Sequence, residues 1–369
     1  MVNPHLKQVV YMPSTPLNIL LSIVHARQFQ SQQQATLWFI DQKMSAEESP
    51  YFRAIQQWSQ SPFHTVEFSR GDATGKDKLK QRRQVFQKIQ EYHARIPVDI
   101  VVTGSDRRVE FQFLMQLIKR HNATAQGWYL DDGLYSYAGR PSFWLKDGVD
   151  RWLKKLVYGV WWEEPITVGA SAWIDQAWLF VPLAAVTQLR HKALHRFEVE
   201  WFRDPAIQAF SLQVLSEFGA DKKYLERLQR IEVLVLTPHP SDIVQMPGYI
   251  LRLETLLQQL QVRGAVVGVK PHPKSASTDV FGWGSRFDVW MIPPTLAFEF
   301  VLPLLSASVQ VVGDIGTSVL TAKWLRPDID AGAVLNPESS YEQGFEAILK
   351  TLDVAVYADY QWVGVERNV

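Results

Sequence analysis

Short, almost wholly apolar β-type runs alternate with amphipathic helical stretches, and this alternation occurs in two series that together constrain the chain more than any other feature. The first series places strands at 8–12, 36–40, 65–68, 99–103 and 128–130, with helical periodicity over 16–29, 51–58, 78–93 and 108–119. Strands without a polar face cannot leave one side of a sheet to water, so the pattern predicts a parallel sheet covered by helices on both faces. A second series predicts strands at 232–236, 266–269, 289–292 and 309–312, separated by helices at 248–262, 296–305 and 318–324. The chain therefore reads as α/β, with two Rossmann-like domains. The boundary is expected after the charged helical stretch 221–230, giving domains 1–228 and 229–369, with the tail after Tyr357 packing back across a central cleft. There is no internal repeat and no low-complexity tract.

Composition narrows the function classes. At 369 residues and 47% hydrophobic content the chain can bury two ordinary cores. Lys+Arg and Asp+Glu both number 38, so the chain lacks the electrostatic footprint of a general nucleic-acid binder, and any basic function must be local. With no cysteine there is neither a disulfide framework nor a thiolate zinc site, a pattern compatible with a reducing cytoplasm. The N-terminus lacks the basic, apolar and small-residue order of a secretory signal, and no uncharged run is long enough to span a bilayer. The expectation is a soluble or peripherally attached cytoplasmic protein.

Between the two series, residues 141–182 fit neither and hold Trp144, Trp152, Trp161, Trp162, Trp173 and Trp178. Within this segment Val149, Trp152, Leu153, Leu156, Val157, Val160 and Trp161 recur at helical spacing, opposite Arg151, Lys154 and Lys155. Two readings stand: a helix for the headgroup region of an anionic membrane, on the inner face of the inner membrane, or an amphipathic helix packed on its own protein. Lys76, Lys78, Lys80, Arg82 and Arg83 either extend a membrane-facing or acidic-acceptor surface or form a solvated helix face.

The chemistry starts at Gly127-Trp128-Tyr129-Leu130-Asp131-Asp132-Gly133, where a strand delivers two carboxylates and a glycine to the edge of a sheet. Ligands of open α/β sheets bind beyond the carboxyl ends of the strands. Neighbouring acids raise each other's proton affinity and partial closure adds desolvation, so one of Asp131 and Asp132 is a candidate general base, with Gly133 permitting the turn. Asp-Asp-Gly is also an ordinary turn sequence. In the second series Lys270-Pro271-His272-Pro273 follows a strand, and the prolines restrict the backbone around His272. As an imidazolium it would donate to a departing phosphate oxygen, with Lys270 and Lys274 concentrating positive charge. Thr237-Pro238-His239-Pro240 duplicates the arrangement, so His239 is a further candidate. Gly313-Asp314-Ile315-Gly316-Thr317-Ser318 follows a strand and opens a helix, where amides and hydroxyls hold a phosphate, although glycine also marks plain turns. Glu299, early in a helix after Pro293-Pro294, can accept from ribose hydroxyls or simply favour the helix start. These are the parts needed to deprotonate an acceptor and assist a leaving group.

The ordered set of an acidic Asp-Asp-Gly motif, a His-Pro motif after a strand, a Glu-bearing helix start and a final hydroxyl pair resembles the bacterial sialyltransferases. The opening Tyr11-Met12-Pro13-Ser14-Thr15-Pro16-Leu17-Asn18 is similar to that of the lipooligosaccharide sialyltransferase and polysialyltransferase families. The resemblance spans most of the chain as short motifs. It implies a GT-B fold with parallel sheets facing a central cleft, a CMP-sialic acid donor, a glycan acceptor and inverting transfer. One of Asp131 and Asp132 would be the base, with Asp131 slightly preferred, and His272 would bind and protonate the CMP phosphate. Thr317 and Ser318 with Gly316 would hold that phosphate, Glu299 the ribose or cytidine, and Thr15, Asn18, Gly133, Lys270 and Pro273 would line the substrates. Two departures from the pattern are the duplicate at His239 and a Thr-Ser pair where two serines are common. A nucleoside monophosphate leaves with little charge, so no cofactor and no metal is expected; the lone Asp-x-Asp, Asp328 to Asp330, is poorly placed for a metal-bound diphosphate. Rival readings are a CMP-Kdo or other nucleotide-sugar transferase, and an inactive glycan-assembly or binding protein.

Overall fold

The computed structural model describes residues 6–139 and 154–364. The chain divides into two compact units, Met1–Phe202 and Arg203–Val369. Each is built around its own parallel sheet.

In the first unit seven strands lie in the order β3-β2-β1-β4-β5-β6-β7. They are β1 (Lys7–Met12), β2 (Gln33–Gln42), β3 (Phe63–Arg70), β4 (Ile100–Thr103), β5 (Gln126–Leu130), β6 (Gln176–Leu179) and β7 (Ala193–Arg196), and every neighbouring pair is parallel. Side chains of a strand alternate between faces. Val10, Met12, Trp38, Ile40 and Val101 accordingly share one core cluster with α3 (Gly75–Arg95) and α4 (Val109–His121). Tyr11 and Phe39 point the other way, against His25 of α1 (Pro16–Gln28) and Phe52 of α2 (Pro50–Gln57). Both faces are covered, as continuously apolar strands require.

The second unit repeats the plan with six strands in the order β10-β9-β8-β11-β12-β13. These are β8 (Val233–Leu236), β9 (Val267–Lys270), β10 (Trp290–Met291), β11 (Gln310–Gly313), β12 (Asp330–Val334) and β13 (Ala355–Tyr357), again all parallel. Val233, Val235, Val267, Val269 and Val312 form a core with Leu253, Leu256, Leu257 and Leu260 of α8 (Tyr249–Val262), a helix with apolar residues at i, i+3, i+4 and i+7.

Three expectations change. Helices α6 (Pro205–Glu217) and α7 (Lys222–Gln229) group with the second unit rather than the first, because Phe210 meets Phe300 edge-on at 5.6 Å and Tyr224 meets Trp290 at 4.6 Å. The tail after Tyr357 packs on its own unit as far as it is described: Val363 is 1% exposed and its carbonyl accepts from Arg263 Nη1 at 3.3 Å. The tryptophan-rich stretch, expected to fit neither strand series, supplies β6 (Gln176–Leu179) to the first sheet, and Trp162 and Trp178 are buried. Trp144 and Trp152 lie outside the described residues. Among the described residues no helix is long and apolar enough to cross a membrane.

Candidate functional site

The strand order of the first unit reverses direction at β1 and β4, the position at which open α/β sheets form a crevice beyond their carboxyl ends. The residues singled out in this unit gather there, on the segments that follow β1 and β5. Thr15 caps α1, its hydroxyl accepting the Asn18 amide at 3.3 Å, with Pro16 at the first helical position where its missing N–H costs nothing. The cap fixes Asn18, which is 1% exposed. Its side-chain amide then donates to Asp132 Oδ1 at 3.1 Å. To get there the amide crosses Gly104, just after β4, where a Cβ would stand 2.0 Å from Asn18 Nδ2. Any side chain at 104 would therefore displace the Asn18 amide from this path, a constraint that no local sequence pattern marks.

The two adjacent aspartates have separate surroundings. Asp131 is fully buried and accepts four hydrogen bonds: from the amides of Gly133 (3.0 Å) and Phe180 (3.1 Å), from Ser136 Oγ (2.7 Å) and from the Tyr137 hydroxyl. Burial pushes its carboxyl up while those donors pull it back. With its acceptor sites filled, Asp131 ties the β5 loop and α5 (Tyr135–Ala138) to the end of β6. The slight preference for Asp131 as base is thus reversed by geometry. Asp132 is only half-buried and takes one side-chain donor, Asn18. Burial raises its carboxyl to about 7, with Asn18 and Arg108 opposing the shift and Asp131 adding to it. A half-buried carboxylate titrating near neutrality can take a proton from a hydroxyl. Gly133 follows with φ of 92°, the left-handed region that glycine enters without strain. Arg108, at the start of α4, is held by an ion pair with Asp41 and contributes positive potential to Asp132.

In the second unit the loops after β8, β9 and β11, three adjacent strands, carry the remaining candidates. His239 and His272 sit in turns built alike. His239 Nδ1 accepts the Ser241 amide at 3.0 Å, and His272 Nδ1 accepts the Lys274 amide at 3.1 Å, each from two residues on. A ring nitrogen that accepts a main-chain N–H carries no proton, so in each turn the Nδ1 is bare and the ring's proton is on Nε2. The rings lie edge to face with centroids 4.8 Å apart. His272 is pushed down to about 4, mainly by burial and then by His239, Lys274 and Lys270. The imidazolium expected from the sequence is therefore not the resting form at neutral pH; a neutral ring with an Nε2–H donor is.

Lys270 also departs from expectation. It is 3% exposed and its ammonium donates to the carbonyls of Pro271 (2.6 Å) and Pro294 (3.2 Å), stitching the loops after β9 and β10. Burial lowers it to about 8, with Glu299 acting the other way. Glu299, half-buried on α9 (Phe298–Val301), is raised by burial and favoured as the anion by Lys270. Pro273 is exposed. Gly316 precedes α10 (Thr317–Leu325) in extended conformation without a side-chain cap bond, so Thr317 and Ser318 occupy the first two helical positions with their amides unclaimed by a cap. Asp314, within the same glycine-rich turn, is 3% exposed, accepts the Gly316 amide at 3.0 Å and is raised to about 8 by burial. Asp242 lies within electrostatic range of both His272 and Asp314. Among the described residues no group of three His, Asp or Glu side chains is arranged to hold a metal ion.

Comparison with protein-family models gives no match, and comparison with curated protein sequences gives none either. Solved structures do resemble the chain. UDP-GlcNAc 2-epimerase from Methanocaldococcus jannaschii superposes with a TM-score of 0.51 at 13% identity, covering 98% of this chain and 94% of that one. The wall teichoic acid polymerase TagF superposes with a TM-score of 0.50 at 10% identity, covering 97% and 78%. A 2,6-sialyltransferase from Photobacterium sp. JT-ISH-224, solved with CMP and lactose, reaches only 0.48 at 14% identity over 96% and 79%, too low to bear on the argument. At such identities the likeness is one of fold. The chain has the glycosyltransferase-like GT-B type of fold, with two parallel-sheet α/β units.

Proposed function

We propose that this chain is an inverting glycosyltransferase that moves sialic acid from CMP-sialic acid to a hydroxyl of a glycan of lipooligosaccharide or capsule type. The single observation that carries a phosphate-bearing donor is the pair of histidine turns, which present two Nε2–H donors from rings 4.8 Å apart. The unclaimed amides of Thr317 and Ser318 and their hydroxyls support the same reading, as positive dipole ends favour an anion. The CMP-linked acidic sugar is favoured by the ordered sequence motifs.

In this scheme Asp132 accepts the acceptor's hydroxyl proton as its oxygen bonds to the anomeric carbon. The bond from that carbon to the phosphate oxygen breaks, and its electron pair leaves with CMP. His272 and His239 hydrogen-bond the departing phosphate rather than hand it a proton, in keeping with a ring that titrates at about 4. The scheme calls on no metal ion. Glu299 would hold the ribose, and Asn18 would orient Asp132 through the 3.1 Å bond.

The test is a donor panel of CMP-sialic acid, CMP-Kdo and UDP-GlcNAc with mixed glycan acceptors, following release of CMP or UDP. The expected result is CMP release from CMP-sialic acid with a sialylated product, lost in Asp132→Asn and His272→Ala. Release from CMP-Kdo or UDP-GlcNAc alone would reassign the donor. Protection against unfolding by a nucleotide sugar without any release would instead mark a glycan-assembly or binding protein.

A further inference from the structure

The first turns of α3 and the segment 154–166 present an unusual surface. Val160 is 92% exposed, Leu156 and Ile166 are each 65% exposed and Val157 is 52% exposed, within eleven residues of chain. Isolated exposed aliphatics are ordinary; four so close together mark a contact surface. The segment is anchored rather than loose. Tyr158 accepts a hydrogen bond from Arg82 Nη1 at 2.6 Å, with the guanidinium also 5.3 Å from the ring, and Trp161 packs against Phe86 and Phe113. The residues buried by this packing are the aromatic ones, which leaves the aliphatic ones outside.

Arg82 and Phe86 join this segment to α3, whose outer face adds positive charge. Lys76, Lys80, Arg83 and Leu79 line one shallow depression there. Lys76 and Lys80, like Lys78 and Arg82, are like-charged pairs one turn apart, an arrangement that opposes the helix unless anions neutralise it. Among the described residues none of Lys76, Lys78, Lys80, Arg83 or Lys155 has an acidic partner within ion-pair distance, whereas Lys154 is taken by Glu164. Asp77 is the one acidic residue of that stretch of α3.

We infer that this face docks on an anionic lipid bilayer, the aliphatic residues entering the boundary of the acyl chains and the cations meeting the headgroup phosphates. A chain of zero net charge carries here a local excess of cations beside exposed aliphatics, which is the charge and apolar complement of such a surface. A protein partner or a second copy would call for apolar contact without dependence on lipid charge.

Vesicle co-sedimentation of the full chain tests this, comparing neutral phosphatidylcholine with a mixture containing about a third phosphatidylglycerol. The expected result is binding to the anionic vesicles alone, weakened by raising salt to about 0.5 M as screening requires. A Lys76→Glu, Lys80→Glu, Arg83→Glu triple variant should weaken it by roughly fivefold or more per cation. A Leu156→Asp, Val160→Asp double variant should weaken it even at low salt, and both variants should keep the parental circular dichroism because the altered side chains are exposed. No sedimentation on anionic vesicles at low salt would overturn the inference. So would binding unchanged in both variants, or a chain that fails to bind vesicles and instead shows a dimer in solution that Val160→Asp dissociates.

Discussion

Replacing Asp132 by asparagine separates the chemistry from the energetics of the first unit. The carboxyl titrates at about 7 in the folded chain against an ordinary 3.8. Moving a carboxyl that far corresponds to about 4 kcal/mol, at 1.36 kcal/mol per pH unit. Asp132 is partly exposed, so solvent screening brings the expected effect nearer to about 2 kcal/mol. The sign follows from linkage. The folded form binds the proton more tightly than the unfolded chain, so the stability this carboxyl contributes is fully present below pH 4, falls as pH rises, and is gone once pH passes about 7. The asparagine of the variant does not titrate and keeps the bond from Asn18. The variant should therefore match the parent in Tm near pH 4 and exceed it by roughly 4–8 °C at pH 8. Transfer should fall by about 10²–10⁴-fold, the usual contribution of a general base. Differential scanning calorimetry at pH 4, 6 and 8, beside an assay of CMP release, reads both effects. A variant that is less stable than the parent at pH 8, or that retains more than a tenth of its turnover, would refute the argument.

Three further outcomes follow from the same geometry. Asp131→Asn turns an amide toward four donors and should cost about 3–5 kcal/mol, read as a lower denaturation midpoint, because a buried acceptor network is broken. His239→Ala and His272→Ala should each weaken CMP binding in calorimetry, and the double variant should lose less than the sum, since the rings share one ligand; strict additivity would argue against a joint site. Gly104→Ala places a methyl 2.0 Å from Asn18 Nδ2 and should reduce turnover while nucleotide binding by the second unit is unchanged, with unaltered kinetics as the contrary result.

The alternation of strands and helices was legible because most of the strands are buried on both faces, so the apolar run itself marks them. What escaped reading lacks that mark. β7 and β13 lie at sheet edges and are half exposed, and β12 is Asp-Ala-Gly-Ala-Val, small side chains with little hydrophobic signal. β6 was hidden among tryptophans that suggested an interface. At the site, Asp131 and Asp132 are chemically the same residue in sequence. Which of them turns inward is decided by Ser136 and Tyr137 nearby and by the amide of Phe180, 49 residues later, which no local pattern announces. Lys270 precedes His272 by two residues and so suggests a phosphate partner; its strand position instead sends it into the interior, where its ammonium donates to the Pro271 and Pro294 carbonyls. The second Pro-His-Pro is plain in the sequence, but no local pattern places its ring beside that of His272, with centroids 4.8 Å apart.

Each histidine turn asks one side chain to perform two tasks at opposite ends of the same ring. Nδ1 closes the turn and leaves the ring proton to Nε2, so the main chain dictates the tautomer before any ligand arrives. Asparagine reproduces the first task and glutamine reaches toward the second, but neither combines them. Grafting such a tripeptide onto another strand end would carry a proton of known location with it, a small portable module whose polarity is set by its own backbone.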